Sequence, residues 1–283
     1  MADALEFMKW PLLACLILPG LLVYLGLHVI EREIIFVDLA LAQMSALGIS
    51  VCVMLGHEAR EVHTYFWSVG FTLVGAVLFS LTRGSRRHRV PQEALIGIVY
   101  VVAAAASILL LSRNAEGNEE LRRTLVGDVL LVRPIQIFRT FGVYAAIAIV
   151  HYIFRKQFLA ISFRSKEAEA HGFSVRGWDF LFYALFGLVV TSFVQIGGVL
   201  LVFSYLIVPG VCATFISTKL IPRLVIGWSL ATLASVAGIW TSFKFDLPTG
   251  AAIVCSLGVC LVVIGVGSAM RGRRVAGDVR PLE

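Results

Sequence analysis

The sequence predicts an all-α fold: a polytopic membrane bundle of about nine spanning helices, within a range of eight to ten. Three observations predict it. Hydrophobic residues make up 59% of the 283 positions and charged residues only 15%, with a mean hydropathy of +0.89. Soluble domains carry about 25% charge, so this chain has too little polar surface to coat a water-soluble globule. The apolar residues also gather into runs of about 20, the length that crosses the hydrocarbon core. The basic residues fall in short clusters between those runs, as membrane loops do.

The runs lie near 11–30, 34–55, 64–82, 93–111, 135–154, 179–196, 198–217, 224–241 and 248–267. The first, "PLLACLILPGLLVYLGLHVI", is preceded by Lys9 and by acids at Asp3 and Glu6. A signal peptide needs a more basic start and a small-residue cleavage site, so this run is expected to be a retained helix. Between the fourth and fifth runs, 117–139 mixes charges with aliphatic residues and reads as an outer loop leading into an interfacial stretch. There Arg133 and Arg139 can reach the headgroups. The boundary between the sixth and seventh runs is the least distinct. "QIGGVLLVFSYLIVPG" has Gly197–Gly198 at one end and Pro209–Gly210 at the other. Those residues predict a broken or partly re-entrant helix, tolerated in a membrane only where protein or a cavity covers the backbone.

Loop charge predicts the orientation. Segments 83–92, 155–178, 217–223 and 268–283 hold fifteen Lys and Arg residues, against five in 56–63, 112–128 and 242–247. The two sets alternate, and the positive-inside rule puts the richer set in the cytoplasm. Nine spans then leave the N-terminus outside and the C-terminus in the cytoplasm. The turn "EREI" at 31–34 falls on the cytoplasmic side with Arg32 alone. Residues 1–283 read as a single transmembrane domain.

Several function classes are excluded. The net charge of +6 is not gathered on one continuous basic face, so nucleic acid is not a partner. The five cysteines all lie in apolar runs without zinc-ligand spacing and read as small buried hydrophobes. "GHEAREVH" places His57 and His63 six apart in a loop with Glu58, whereas a zinc peptidase needs two histidines four apart on one helical face. No nucleophile elbow, phosphate-cradling loop or dinucleotide-binding glycine pattern occurs. The chain is expected to be no enzyme and to bind no cofactor itself, so ATP-driven work would come through a partner.

Two stretches carry candidate chemistry. In "FVDLALAQMSALG" (36–48) an acid, an amide and a hydroxyl interrupt a greasy run. At about 100° per residue, Asp38, Ala42, Ser45, Ile49 and Cys52 share a helical face, while Gln43 points about 140° away with Leu39, Leu47, Ser50 and Met54. An ionised carboxylate at the bilayer centre costs about 2.5–3.5 kcal/mol and usually faces a bundle interior or wet cavity. Asp38 therefore reads either as a pathway residue or as a structural contact to a neighbouring helix. Gln195, beside two glycines, is the other polar group placed to line a cavity. In the 155–178 loop, "SKEAEAHG" reads as a short polar helix stopped by Gly172. It is either a solvated loop or a docking element.

Four stretches together resemble one family, the permease subunits of zinc, manganese and iron ABC transporters. "EREIIFVDLALAQMSALGISVCVMLG" is similar to its arginine-bearing turn and G-D-x-x-x-H helix. "PQEALIGIVYVVAAAASILLLS" is similar to its acidic–A–x–I–G–I helix. "FRSKEAEAHGFSVRGWDFLFYALFGLVVTSFVQIGGVLLVFSYLIVPGVCATFIS" resembles its A-x-x-x-G coupling segment followed by V-G-x-L-L-V-x-x-L-L-I-x-P-A-A-x-A. "FDLPTGAAIVCSLGVCLVVI" is close to its D-x-P-x-G-A helix. The resemblance runs from about residue 12 to 267.

It implies a bacterial inner-membrane importer subunit that dimerises around a central path, a cytoplasmic ATPase subunit, and an extracytoplasmic solute-binding protein. It implies a divalent metal ion or metal chelate as cargo, with Asp38, Gln43, Ser45 and Gln195 along the path and Asp38 as a metal ligand. It makes 164–172 the coupling segment, with Arg164, Lys166, Glu167, Ala168, Glu169, His171 and Gly172 meeting the ATPase. The second span departs from the pattern. Aligned on Gly48, Gln43 meets the family's histidine and Leu39 its aspartate, with Asp38 one position early. The family's two metal ligands, four apart on one face, are thus replaced by an acid and an amide that diverge. Arg164 stands where the family usually has an acid. The alternative from another class is a secondary transporter or channel working without ATP, whose intramembrane charges would carry the coupling ions.

Overall fold

The computed structural model describes residues 2–57, 62–82, 91–112, 117–127, 129–163 and 175–278. Ten α-helices and one 3₁₀ turn account for nearly all of them, and no strand occurs among the described residues. In chain order they are α1 (Ala2–Glu31), α2 (Val37–Met54), α3 (Val62–Thr82), α4 (Gln92–Leu111), α5 (Gly117–Val126), the 3₁₀ turn Val129–Leu131, α6 (Pro134–Ile153), α7 (Arg155–Phe163), α8 (Val175–Ile216), α9 (Leu220–Phe245) and α10 (Thr249–Asp278). Eight of these are long and apolar enough to cross a membrane; α5 and α7 are the short ones.

The sixth and seventh expected runs are both in α8. A straight helix of its 42 residues would extend about 63 Å, twice the hydrocarbon thickness of about 30 Å. It does not run straight. Gly198 leaves helical geometry at φ 72°, ψ 168°, and the chain turns back there. Phe193 and Tyr205 would sit about 18 Å apart along one helix; instead their rings stack with centroids 5.8 Å apart. At the open end, Asp179 from one limb and Gly210 from the other both lie against the last turns of α1. α8 is therefore a helical hairpin of limbs 175–197 and 199–216. With each limb long enough to cross, the eight helices supply nine crossings.

The hairpin is the core of the bundle. Phe182, Tyr183, Phe186, Phe193 and Tyr205 are all buried along it, and α1, α2, α3, α9 and α10 pack around it. Its tip is closed by backbone on backbone. A Cβ on Gly198 would overlap the Gly127 nitrogen and the Val126 carbonyl carbon at the end of α5. The stretch expected to be an outer loop is thus the helix α5, which caps the hairpin tip. Only glycine offers both the positive φ and the missing Cβ that this closure needs.

The helix ends sort onto two faces. One face gathers the ends of α1, α3, α6 and α7, the starts of α2, α4 and α8, and the α8–α9 turn. Here Arg223 pairs with Glu31 at 2.9 Å, and Gln92 donates to the Phe79 carbonyl and Tyr183 hydroxyl. The other face carries the hairpin tip, α5 and the start of α10. The richer set of basic segments all join the first face, which we call the basic face. The start of α1 and the end of α10 lie on opposite faces.

Replacing Gly198 with Leu is expected to cost about 2–4 kcal/mol through strained φ and overlap at the tip. Gly142→Leu, where nothing lies within 4 Å of the added Cβ, should be nearly neutral. Thermal unfolding of the detergent-purified variants checks the difference.

Candidate functional site

The α2 helix enters from the basic face with Phe36 as its N-cap, which makes no side-chain capping bond. Asp38 is the acid of the first turn, where the free N–H groups and the helix dipole favour a negative charge. Its side chain is buried, and neither carboxyl oxygen has a side-chain partner among the described residues; only the N–H groups of its own helix start lie near it. Buried polar groups in native proteins are nearly always paired.

The face that Asp38 shares turns toward α3. Ser45 is fully buried, and its hydroxyl hydrogen-bonds that of Ser68 at 2.6 Å. About two turns further along α2, Thr64 donates to the Cys52 sulfur at 3.4 Å. Between them Gly48 lies against the backbone of Trp67 and Ser68, too close for any Cβ. These small residues bring the two helices together, as in other membrane bundles. Ser45 is thus a helix–helix contact in this conformation. The opposite stripe is less covered: Leu39 and Leu47 are half-buried and Met54 is exposed. Gln43 lies on this stripe, about 7.5 Å deeper than Asp38 along the helix axis, and only 5% exposed.

Gln195 lies three residues before the hairpin turn and is exposed, with Leu200 just beyond the turn also exposed and the residues between them buried. Beside it Ser192 hydrogen-bonds the Tyr65 hydroxyl at 3.3 Å. An exposed amide within a span marks water or protein on that side rather than lipid. Asp38, Gln43 and Gln195 therefore occupy successive depths from the basic face toward the tip and do not form one cluster. Among the described residues no three His, Cys, Asp or Glu side chains come together to hold a metal. The structure does bring His57 and His63 together, with stacked rings 5.5 Å apart at the tip face; Glu58 lies outside the described residues.

One constellation was not legible as a site. Arg32 forms a buried ion pair with Asp179 at 2.9 Å, and neither side chain is exposed. Its Nε donates to Ser162 Oγ at 2.7 Å, which leaves the serine proton free to reach His28 Nδ1 at 2.8 Å. The guanidinium carbon lies 3.9 Å from the centroid of the Phe182 ring. Tyr24, His151 and Phe158 complete an aromatic wall around His28 and its neighbours. An acid at the very start of an apolar run was the only sequence signal for Asp179. The expected coupling residues Arg164, Lys166, Glu167, Ala168, Glu169, His171 and Gly172 lie outside the described residues, directly between Ser162 and Asp179 in the chain.

A nine-crossing bundle with a central hairpin, and a family model that matches residues 4–267, decide the kinship. The chain belongs to the ABC 3 transport family. As a family member with eight span-length helices, it is an integral transport protein of the bacterial plasma membrane. Similar ABC 3 proteins include the manganese transport system membrane protein MntC of Listeria innocua, 27% identical over 230 residues, covering 81% of this chain and 79% of the relative. The manganese import system permease protein ScaB of Streptococcus gordonii is 24% identical, covering 91% of this chain and 90% of the relative. The fold is shared with PsaBC from Streptococcus pneumoniae, solved in complex with a Fab, at a TM-score of 0.78, 24% identity and 93% coverage of both chains.

The α2–α3 contact can be measured directly. Ser45→Ala and Ser68→Ala should each destabilise the detergent-solubilised protein by about 1 kcal/mol, and the double variant by about 1.4 kcal/mol, less than the sum of the two. The coupling from the double-mutant cycle should be about 0.6 kcal/mol.

Proposed function

We propose that this chain is the permease subunit of an ATP-driven importer of a divalent transition metal ion, with manganese as the leading cargo. The observation that carries this reading is the match to one transport family over residues 4–267, which takes in every membrane crossing. The relatives' names supply manganese. The donor chemistry agrees. Asp38 and Gln43 offer carboxylate and amide oxygens, and oxygen donors suit manganese, whereas imidazole and thiolate suit zinc and copper. The two groups face apart on α2, so each would meet the ion singly as it passes.

The basic face is cytoplasmic by the positive-inside rule, with the N-terminus outside and the C-terminus within. A solute-binding protein delivers the ion to the tip face. A second copy of the chain completes the path, which passes Gln195, then Gln43, then Asp38. A separate ATPase subunit meets residues 164–172 and supplies the ATP step; the chain carries no cofactor of its own. When the ATPases close, the two permease subunits rock against each other and the path changes the side to which it opens. Ser45 supports this path from behind by fixing α2 to α3.

Uptake of radioactive manganese by cells whose own copy is deleted tests the reading. The wild-type chain should restore uptake, and Asp38→Asn should lower it about tenfold or more, since the one acid among these path residues can then no longer ionise. Ser45→Ala should change it less than about twofold, since it loses one membrane hydrogen bond. Unchanged accumulation of manganese, zinc and iron on deletion of the subunit contradicts the assignment.

A further inference from the structure

Both flanks of the 164–172 segment are held by one guanidinium. Ser162 is in the last turn of α7, just before the segment, and Asp179 is in the first turns of α8, just after it. Arg32 bonds to both and rests on Phe182 one turn further along α8. Four consequences follow from its position. The two flanks cannot separate without breaking either the buried ion pair to Asp179 or the hydrogen bond to Ser162. Lysine cannot reproduce the contact, because it has no planar fork to serve two acceptors and stack on a ring at once. Arg32 is also the C-cap of α1, whose limb-side neighbours include Gly210 of the returning hairpin limb. Finally, the turn that follows Arg32 is stiff. The Ile34 N–H donates to the Val29 carbonyl and the Glu33 N–H to the Ile30 carbonyl, with Glu33 left-handed at φ 57°. This is a Schellman arrangement. It leads within a few residues to Phe36, the N-cap of α2, and so to Asp38.

We infer that Arg32 is the positioning residue that transmits movement of the 164–172 segment to α1 and, through the stiff α1–α2 turn, to Asp38. A displacement of the segment by a partner cannot be absorbed by α7 or α8 alone. It moves both flanks and the guanidinium between them, and the turn carries that movement to the start of α2. The inference rests on the reading of 164–172 as the ATPase contact. It adds that the stroke reaches the ion path through Arg32 rather than through α8 alone.

The test uses proteoliposomes holding the full chain with its ATPase, the binding protein and manganese, and reads ions moved per ATP hydrolysed. Arg32→Lys should still co-purify with the ATPase and hydrolyse ATP within about twofold of wild type, while ions per ATP fall about tenfold, the loss of a coupling near 1.4 kcal/mol. Ser162→Ala, which removes one leg and no charge, should lower the ratio about threefold, a partial loss of the same coupling. If Arg32→Lys fails to fold, the ratio for Ser162→Ala decides. Wild-type ratios in the folded variants overturn the inference, as does a parallel loss of ATPase capture and hydrolysis, which a merely structural Arg32 would give. Gly172→Trp separates the two claims. It should abolish ATPase capture, and if capture persists it is the coupling reading that fails, not the link through Arg32.

Discussion

A hairpin of two helices at the centre of a membrane bundle has to turn where there is neither room for side chains nor water for backbone groups. Here the turn rests on the contact between Gly198 and Gly127, where two backbones meet without a Cβ between them. Everything else is arranged around the hairpin that this contact permits. Phe193 and Tyr205 stack across it just below the tip. Tyr205 continues the seam outward by hydrogen-bonding Ser235 on α9 at 2.5 Å and donating to the Cys15 sulfur on α1 at 3.5 Å. At the open end the limbs are tied to α1, one of them through the ion pair of Arg32 and Asp179. A buried pair of that kind is weak evidence for net stability but strong evidence for register, because each partner excludes every arrangement that leaves the other unpaired.

Much of the fold was legible in the chain because the bilayer imposes a length on every crossing. The runs at 34–55, 64–82 and 93–111 correspond to α2, α3 and α4 nearly residue for residue. The hairpin was half legible. Gly197–Gly198 announced a break, but a glycine pair does not say whether the chain bends, re-enters or reverses. That was decided by partners more than 50 residues away, in α5 and α10. The segment 117–126 lacked the apolar run of a span, and its helix draws its support from the hairpin tip it covers.

The candidate site was legible by residue type and less so by role. Asp38 stood out because a carboxylate is costly in an apolar run, and the structure leaves both its oxygens without a side-chain partner among the described residues. Ser45 was grouped with Asp38 by helical angle alone. Angle assigns a face but not its neighbour, and the neighbour is Ser68 on α3. Gln43 was set apart by the same angle, and it lies on the less covered stripe of α2. The node at Arg32 could not be seen at all, since Ser162 and Asp179 lie 130 and 147 residues away from it. Pairing over such separations is a property of the packed bundle and leaves no local pattern in one sequence.

On the proposed function, the passage is gripped at its inner end through the segment between α7 and α8. The most direct measurement is photo-cross-linking in living cells from an unnatural amino acid placed at Ala168. The account predicts one dominant adduct, whose mass and peptide sequence identify an ABC ATPase. An adduct with lipid alone, or with a protein that binds no nucleotide, contradicts it.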